Sequence, residues 1–281
     1  MAKRCILCAS LVGIVPTASA VTFAMNNKSD SSRVAPRKEI KYYGLAACLA
    51  LWRARPQDVI RIYLSEDNLK PLGDLLKWAA AQRRAYHIVG DDELECLTDS
   101  IHHQGVCLLA NEPAAMGYKQ FKETLEKQRG PMLLAYLDGV ENPHNLGAIV
   151  RTCAHLGVDY LLGESGRLPR LSASACRVAE GGAEQVKLIH LLHRDKALAD
   201  LKKLGFKLLV TAADGKSIYS QPYPQRTVLV MGAEQTGVSA DMRNFADGKI
   251  SVPGTGRVES LNVSVAFAIL AAEFQRQQSG G

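Results

Sequence analysis

Residues 250–266 read Ile-Ser-Val-Pro-Gly-Thr-Gly-Arg-Val-Glu-Ser-Leu-Asn-Val-Ser-Val-Ala. A short apolar strand runs into a glycine-rich loop, and the loop runs into a helix apolar around much of its circumference, predicted over Asn262 to Arg276. Such a helix is buried on most sides. Reading backwards, short apolar segments fit strands at Lys249 to Val252, Thr227 to Met231, Lys207 to Thr211, Val186 to Leu191, Tyr160 to Leu162 and Met132 to Leu137. Helical periodicity lies between several of them, notably at Asn145 to Leu156 and Asp195 to Lys203. Short apolar strands joined by helical crossovers define an α/β fold, a parallel sheet with helices on both faces.

The texture before Pro131 differs. Leu45, Cys48, Leu49 and Trp52 recur at helical spacing, as do Leu72, Leu75, Leu76 and Ala79. Strands fit Val59 to Leu64, Tyr86 to Val89 and Val106 to Ala110, which makes residues 38–112 a small α/β module. Residues 113–130 are polar, charged and punctuated by Pro113 and Gly117, and are read as a linker. Residues 1–37 form a leader. Lys3 and Arg4 precede an apolar run from Cys5 to Val15, and Ala18-Ser19-Ala20 resembles a cleavage site. Export and an organellar transit segment compete with a misassigned start, in which Met25 opens the functional chain. The last is preferred only because of the function argued below, which belongs in the cytoplasm.

Composition bounds the rest. A hydrophobic fraction of 47% with 22% charged residues is that of a globular chain, and excludes a disordered or collagen-like one. The net charge of +6 suits a polyanionic partner without demanding one. Seven cysteines without repeating spacing argue against a disulfide framework. Cys5 and Cys8 make a C-x-x-C with no second pair at zinc-finger spacing, and His102 and His103 are adjacent, so no metal site is expected.

In open parallel sheets, ligands bind beyond the carboxyl ends of the strands. Three loops fall there. Residues 138–151 read Asp-Gly-Val-Glu-Asn-Pro-His-Asn-Leu-Gly-Ala-Ile-Val-Arg, a strand end, a polar turn and a helix that Asn145 is placed to cap. Taken alone, Arg151 reads as an ordinary surface arginine. Residues 231–237, Met-Gly-Ala-Glu-Gln-Thr-Gly, bracket the Glu234 carboxylate between glycines that permit a tight turn. The third loop is the opening segment, where Ser260, Asn262 and Ser264 offer helix caps. It has neither a Walker lysine nor a G-x-G-x-x-G order.

Together, "NPHNLGAIVRT", "MGAEQTG" and "SVPGTGRVESLNVSVA" resemble the motifs of the SpoU/TrmH family of SPOUT RNA 2′-O-ribose methyltransferases, over a domain of residues 131–278. Residues 38–112 look like the L30e-like substrate-binding domain that precedes it, and "YGLAACLALWRARP" and "HHQGVCLL" are similar to the YfiF-type branch. The resemblance implies a C-terminal trefoil knot, against the general rule that chains do not thread loops. It also implies S-adenosyl-L-methionine as cofactor, tRNA or rRNA as substrate, and a homodimer whose partner subunit completes the site. By position it assigns Gly232, Val252, Leu261, Thr211 and Ala212 to the cofactor, and Asn145, Arg151, Glu234, Ser260 and Asn262 to catalysis.

Methyl transfer from a sulfonium is an in-line displacement that needs alignment more than covalent help. The resemblance leaves two roles for Arg151: a base, or a holder of phosphate and of charge developing on the ribose oxygen. A guanidinium with a pKa above about 12 favours the second. Glu234 is expected to position loops, since a carboxylate beside arginine becomes less basic. Arg53, Arg55, Arg167 and Arg170 are the expected RNA contacts. The rival reading is a non-catalytic RNA-binding or ribosome assembly factor on the same fold.

Overall fold

The computed structural model describes residues 38–279. The leader of residues 1–37, with Cys5 and Cys8, lies outside the described residues. Two sheets are present. The first has four strands in the order β1 (Glu39–Tyr43), β4 (Val106–Asn111), β2 (Val59–Leu64), β3 (Ala85–Ile88). In it β4 runs antiparallel to both β1 and β2, while β2 and β3 are parallel. Helices α1 (Leu45–Ala54), α2 (Gly73–Ala81) and α3 (Asp91–Thr98) surround it.

The second sheet is parallel at every pairing, in the order β10 (Gly248–Ser251), β8 (Lys207–Ser217), β9 (Arg226–Gly232), β5 (Met132–Asp138), β6 (Tyr160–Glu164), β7 (Lys187–Leu191). Its central strand shows why the apolar runs were continuous rather than alternating. Leu133, Ala135 and Leu137 of β5 enter one core, and Leu134 and Tyr136 enter the other. The first core packs against α5 (Pro143–His155), α6 (Ala173–Val178) and α9 (Val263–Ser279) and runs on into the first sheet. The second packs against α4 (Tyr118–Lys127), α7 (Arg194–Lys203) and α8 (Ala240–Phe245). Burial on both faces is what a parallel sheet requires.

One expectation changes here. The stretch read as a linker, residues 113–130, contains helix α4, whose Phe121 and Leu125 are fully buried. The helix is otherwise polar, so a two-residue apolar stripe at i,i+4 was hidden among charges.

The strand order places the site. From β5 the chain steps outward to β6 and β7, then crosses to the far side for β8, β9 and β10. β5 and β9 therefore flank the point where the order reverses, and their last residues, Asp138 and Gly232, are register partners. The loops leaving them diverge and open a crevice between them.

Candidate active site

At this crevice lies a cleft of about 600 Å³, walled by the loop after β5, the loop after β9, and the side chains of Arg167 and Arg243. Asp138, almost fully buried, fixes its floor by accepting the Ser239 backbone N–H at 2.7 Å. An acid at the end of an apolar strand was the available signal for this residue, and sequence reasoning missed it. Gly232 is required by packing. The turn after it folds back so closely that a Cβ would lie 2.2 Å from the Gly237 carbonyl carbon.

The helix start differs from the prediction. Asn142, not Asn145, is the N-cap, and its side-chain oxygen accepts the His144 N–H at 2.8 Å, with Pro143 in the first turn. Asn145 sits one turn in, and its buried amide is released for other work. Its Nδ2 donates to Glu234 Oε1 at 3.0 Å, and its oxygen accepts from Asn262 Nδ2 at 3.0 Å. Asn262 Nδ2 also donates to the same Glu234 oxygen at 2.6 Å. The other end of Asn262 caps α9, accepting from the Ser264 N–H at 2.9 Å and its hydroxyl at 2.6 Å. Three loops far apart in sequence are thus joined by one triangle of side chains. Glu234 Oε1 accepts two amide donors, an arrangement that ties loops together. Its partners are these amides and not Arg151.

Ser260 and Leu261 lie exposed in the loop before Asn262. Thr211 and Ala212 lie in β8, where the pairing with β10 slips. Val210 is opposite Lys249, but Ile250 is opposite Lys216, so residues 211–215 bow out of the ladder. Thr211 is tied back to β9 by its hydroxyl, which donates to the Val230 carbonyl at 3.2 Å. Val252 follows β10 and is half-buried. The five cofactor candidates therefore lie on or just after three adjacent strands and in the loop that crosses to α9, and none of them lines the cleft.

Arg151 is set apart. It lies six residues along α5 from Asn145, roughly 9 Å up the axis and on another face. There its Nη2 meets Glu180 Oε2 at 2.7 Å, with the side chain 57% exposed. Within one chain it is not brought to the cleft.

The expected RNA contacts divide. Arg53 is exposed at the end of α1, and Arg170 is exposed although paired with Glu112 at 3.0 Å. Arg167 overhangs the cleft, 3.7 Å from Glu164. Arg55 is a correction. It is buried inside the protein, bonded to Glu184 at 2.7 Å, Asp58 at 3.0 Å, the Tyr42 hydroxyl and the Asn111 carbonyl. Burial is the largest single influence and pulls its pKa down, but the hydrogen bonds and charges of Glu184, Tyr42 and Asp58 together leave it raised. It holds the first sheet to the second domain and cannot reach RNA.

These features match known proteins. The SpoU rRNA Methylase family model matches residues 132–272, and the RNA 2′-O ribose methyltransferase substrate-binding model matches residues 42–116. The chain is 35% identical to the uncharacterized tRNA/rRNA methyltransferase YfiF of Escherichia coli, over 85% of its own length and 69% of that protein's. It is 34% identical to the 23S rRNA (guanosine-2′-O-)-methyltransferase RlmB of Pseudomonas aeruginosa, over 85% of this chain and 97% of RlmB. Among solved structures, the SpoU methyltransferase AviRb of Streptomyces viridochromogenes, in complex with AdoMet, superposes with a TM-score of 0.70 at 19% identity, covering 86% of this chain and 92% of AviRb. The chain belongs to the SpoU rRNA methylase family, and its activity is that of an RNA methyltransferase.

Proposed function

We propose that this protein uses S-adenosyl-L-methionine to methylate a ribose 2′-hydroxyl of rRNA or tRNA, as a homodimer. The observation that carries the reading is the Asn145–Glu234–Asn262 triangle, which locks together the three loops bearing the family's motifs. The residues fit the cofactor. The partly buried Val252 and the 44% exposed Leu261 offer apolar walls for an adenine, and the bowed segment after Val210 and the loops after β9 and β10 offer backbone polar groups. Thr211, Ala212, Gly232, Val252 and Leu261 would hold it. When bound, it supplies an electrophilic methyl group carried on a sulfonium.

The chain's own residues do the rest. Asn145, Glu234 and Asn262 fix the loops before substrate arrives, so little is lost in ordering them later. Arg151, a permanent cation, holds a phosphate beside the target nucleotide and stabilises negative charge on the ribose oxygen as its proton leaves. Ser260, exposed two residues from Asn262, orients the substrate. Arg151 faces away from its own cleft, which supports a dimer in which each subunit's arginine completes the other's site. Exposed Val258, Leu261 and Val265 around the start of α9 are the apolar surface such a dimer would cover.

Residues 131–278 act as the catalytic domain and 38–112 as an L30e-like domain that grips RNA, through Arg53 with help from Arg167 and Arg170. A trefoil knot is supported by the path of the chain end. β10 lies at the sheet edge beyond β8, yet α9 returns to pack on α5 and β9, so residues 252–262 cross strand ends already in place. A cytoplasmic site of action follows from the substrates. Among the described residues, no helix is long and apolar enough to cross a membrane.

The test is incubation with radiolabelled S-adenosyl-L-methionine and total RNA from a strain lacking the gene, followed by mapping of the label. Label on one ribose 2′-oxygen, absent with Arg151→Ala, is expected. RNA binding with neither cofactor binding nor transfer would favour a non-catalytic RNA-binding factor instead.

A further inference from the structure

The segment after α6 has an unusual backbone. Glu180 adopts φ 44°, a left-handed conformation that glycine takes freely and an L side chain resists. Its neighbours show why the conformation is imposed. Gly181, at φ 94°, lies against α1, where a Cβ would fall 2.8 Å from that of Ala50. Gly182 lies against α5, where a Cβ would fall 3.2 Å from the Arg151 Cα. Two residues on, Glu184 is clamped by Arg55 of the first domain at 2.7 Å. The segment is wedged between the RNA-gripping domain and the helix that carries Arg151.

The strained residue's carboxylate meets the Arg151 guanidinium, Nη2 to Oε2, at 2.7 Å, with the two side chains 57% and 49% exposed. A pair this exposed adds little to stability, so folding alone does not account for glutamate at a position where glycine sits without strain. An exposed arginine has wide rotamer freedom, and restraining it in advance reduces what must be ordered when substrate binds.

We propose that Glu180 is a positioning residue for Arg151. It holds one edge of the guanidinium so that the other edge is presented to RNA, and the docked first domain sets Glu180 itself in place. The proposal rests on the reading that Arg151 serves methyl transfer.

The test compares Glu180→Gly, Glu180→Asp and Arg151→Ala in the full chain. Glu180→Gly removes the carboxylate while suiting the backbone, so it should fold at least as stably as the parent. Its kcat with total RNA should fall about tenfold while KM for RNA changes less than about twofold. Glu180→Asp should recover part of the loss. In the free protein, NMR of the Arg151 Nε–H group, identified by its loss in Arg151→Ala, should show greater mobility in Glu180→Gly. RNA binding measured without methyl donor should keep its salt dependence.

Unchanged kcat and unchanged Arg151 mobility in Glu180→Gly would overturn the proposal. So would tighter RNA binding with a steeper salt dependence and normal kcat, since Glu180 would then compete with RNA for Arg151. A fall in melting temperature that Glu180→Asp does not reverse would mark a structural role and also sink it. If Arg151→Ala keeps full activity, the reading of Arg151 fails first. If Arg151→Ala is inactive and Glu180→Gly is not, the positioning role fails alone.

Discussion

Two ion pairs lean on the same short stretch after α6, and they are opposites. Arg55 and Glu184 are about nine-tenths or more hidden, with further bonds from the arginine to Asp58, Tyr42 and Asn111. Arg151 and Glu180, four residues earlier on the acidic side, are half in water. A buried pair cannot lose one member without stranding a charge in a poor solvent. An exposed pair can exchange its partner for a phosphate at little cost. One arginine is therefore a rivet between the first sheet and the segment after α6, and the other, on the function proposed above, is held ready for a substrate.

The contrast can be broken most forcefully at Arg55. Arg55→Ala should destabilise the protein by about 3–5 kcal/mol, read from urea unfolding, because Glu184 is left buried without its cation. A loss near that expected of an ordinary surface substitution would show that the domains do not depend on this link. Arg151→Ala should behave conversely. Stability should stay within about 0.5 kcal/mol of the parent, while kcat falls by about 100-fold or more. Retained activity in that variant would remove Arg151 from the reaction.

Asn262 tests the middle ground, since it both caps a helix and joins the site. Asn262→Ala should cost about 1–2 kcal/mol through the lost cap and lower activity through the lost links to Asn145 and Glu234. Asn262→Asp keeps the cap but sets a carboxylate beside Glu234, so its defect should ease as pH falls and one acid becomes protonated. A defect that does not change with pH would mean the two side chains separate in solution. The smallest effect concerns thiols. Burial pushes Cys107 up to about 11 and Cys176 up to about 12, so both stay protonated at neutral pH. Among the described cysteines, exposed Cys96 should react first with a thiol reagent in the native protein. Early labelling of Cys176, which lies beside Tyr42 under the domain contact, would mean that the contact opens readily.

The same comparison explains what the sequence discloses. The parallel sheet was legible because its strands are short apolar runs between helical stretches, and the closing helix because it is apolar nearly all round. The three loops were legible as wording, and they do meet through Asn145, Glu234 and Asn262. Arg55 was misread because surface arginines are usually solvated, and its partner lies 129 residues away, beyond any local pattern. The cap was misplaced by three residues although Pro143 marks the first turn and points to Asn142. Helix α4 was read as linker because only Phe121 and Leu125 identify its buried side. Glu180 left no mark, since nothing in "VAEGGAE" shows which residue takes the left-handed turn.

The triangle also fixes when in the life of the chain the site comes to exist. Asn262 stands directly before the 17-residue helix α9, and it supplies two of the three bonds that join the loops. A nascent chain has made every strand of the sheet before this residue leaves the ribosome, and at that stage it has no assembled site. A product cut short before Asn262 would therefore carry every strand of both sheets and lack two of the three bonds that join the loops.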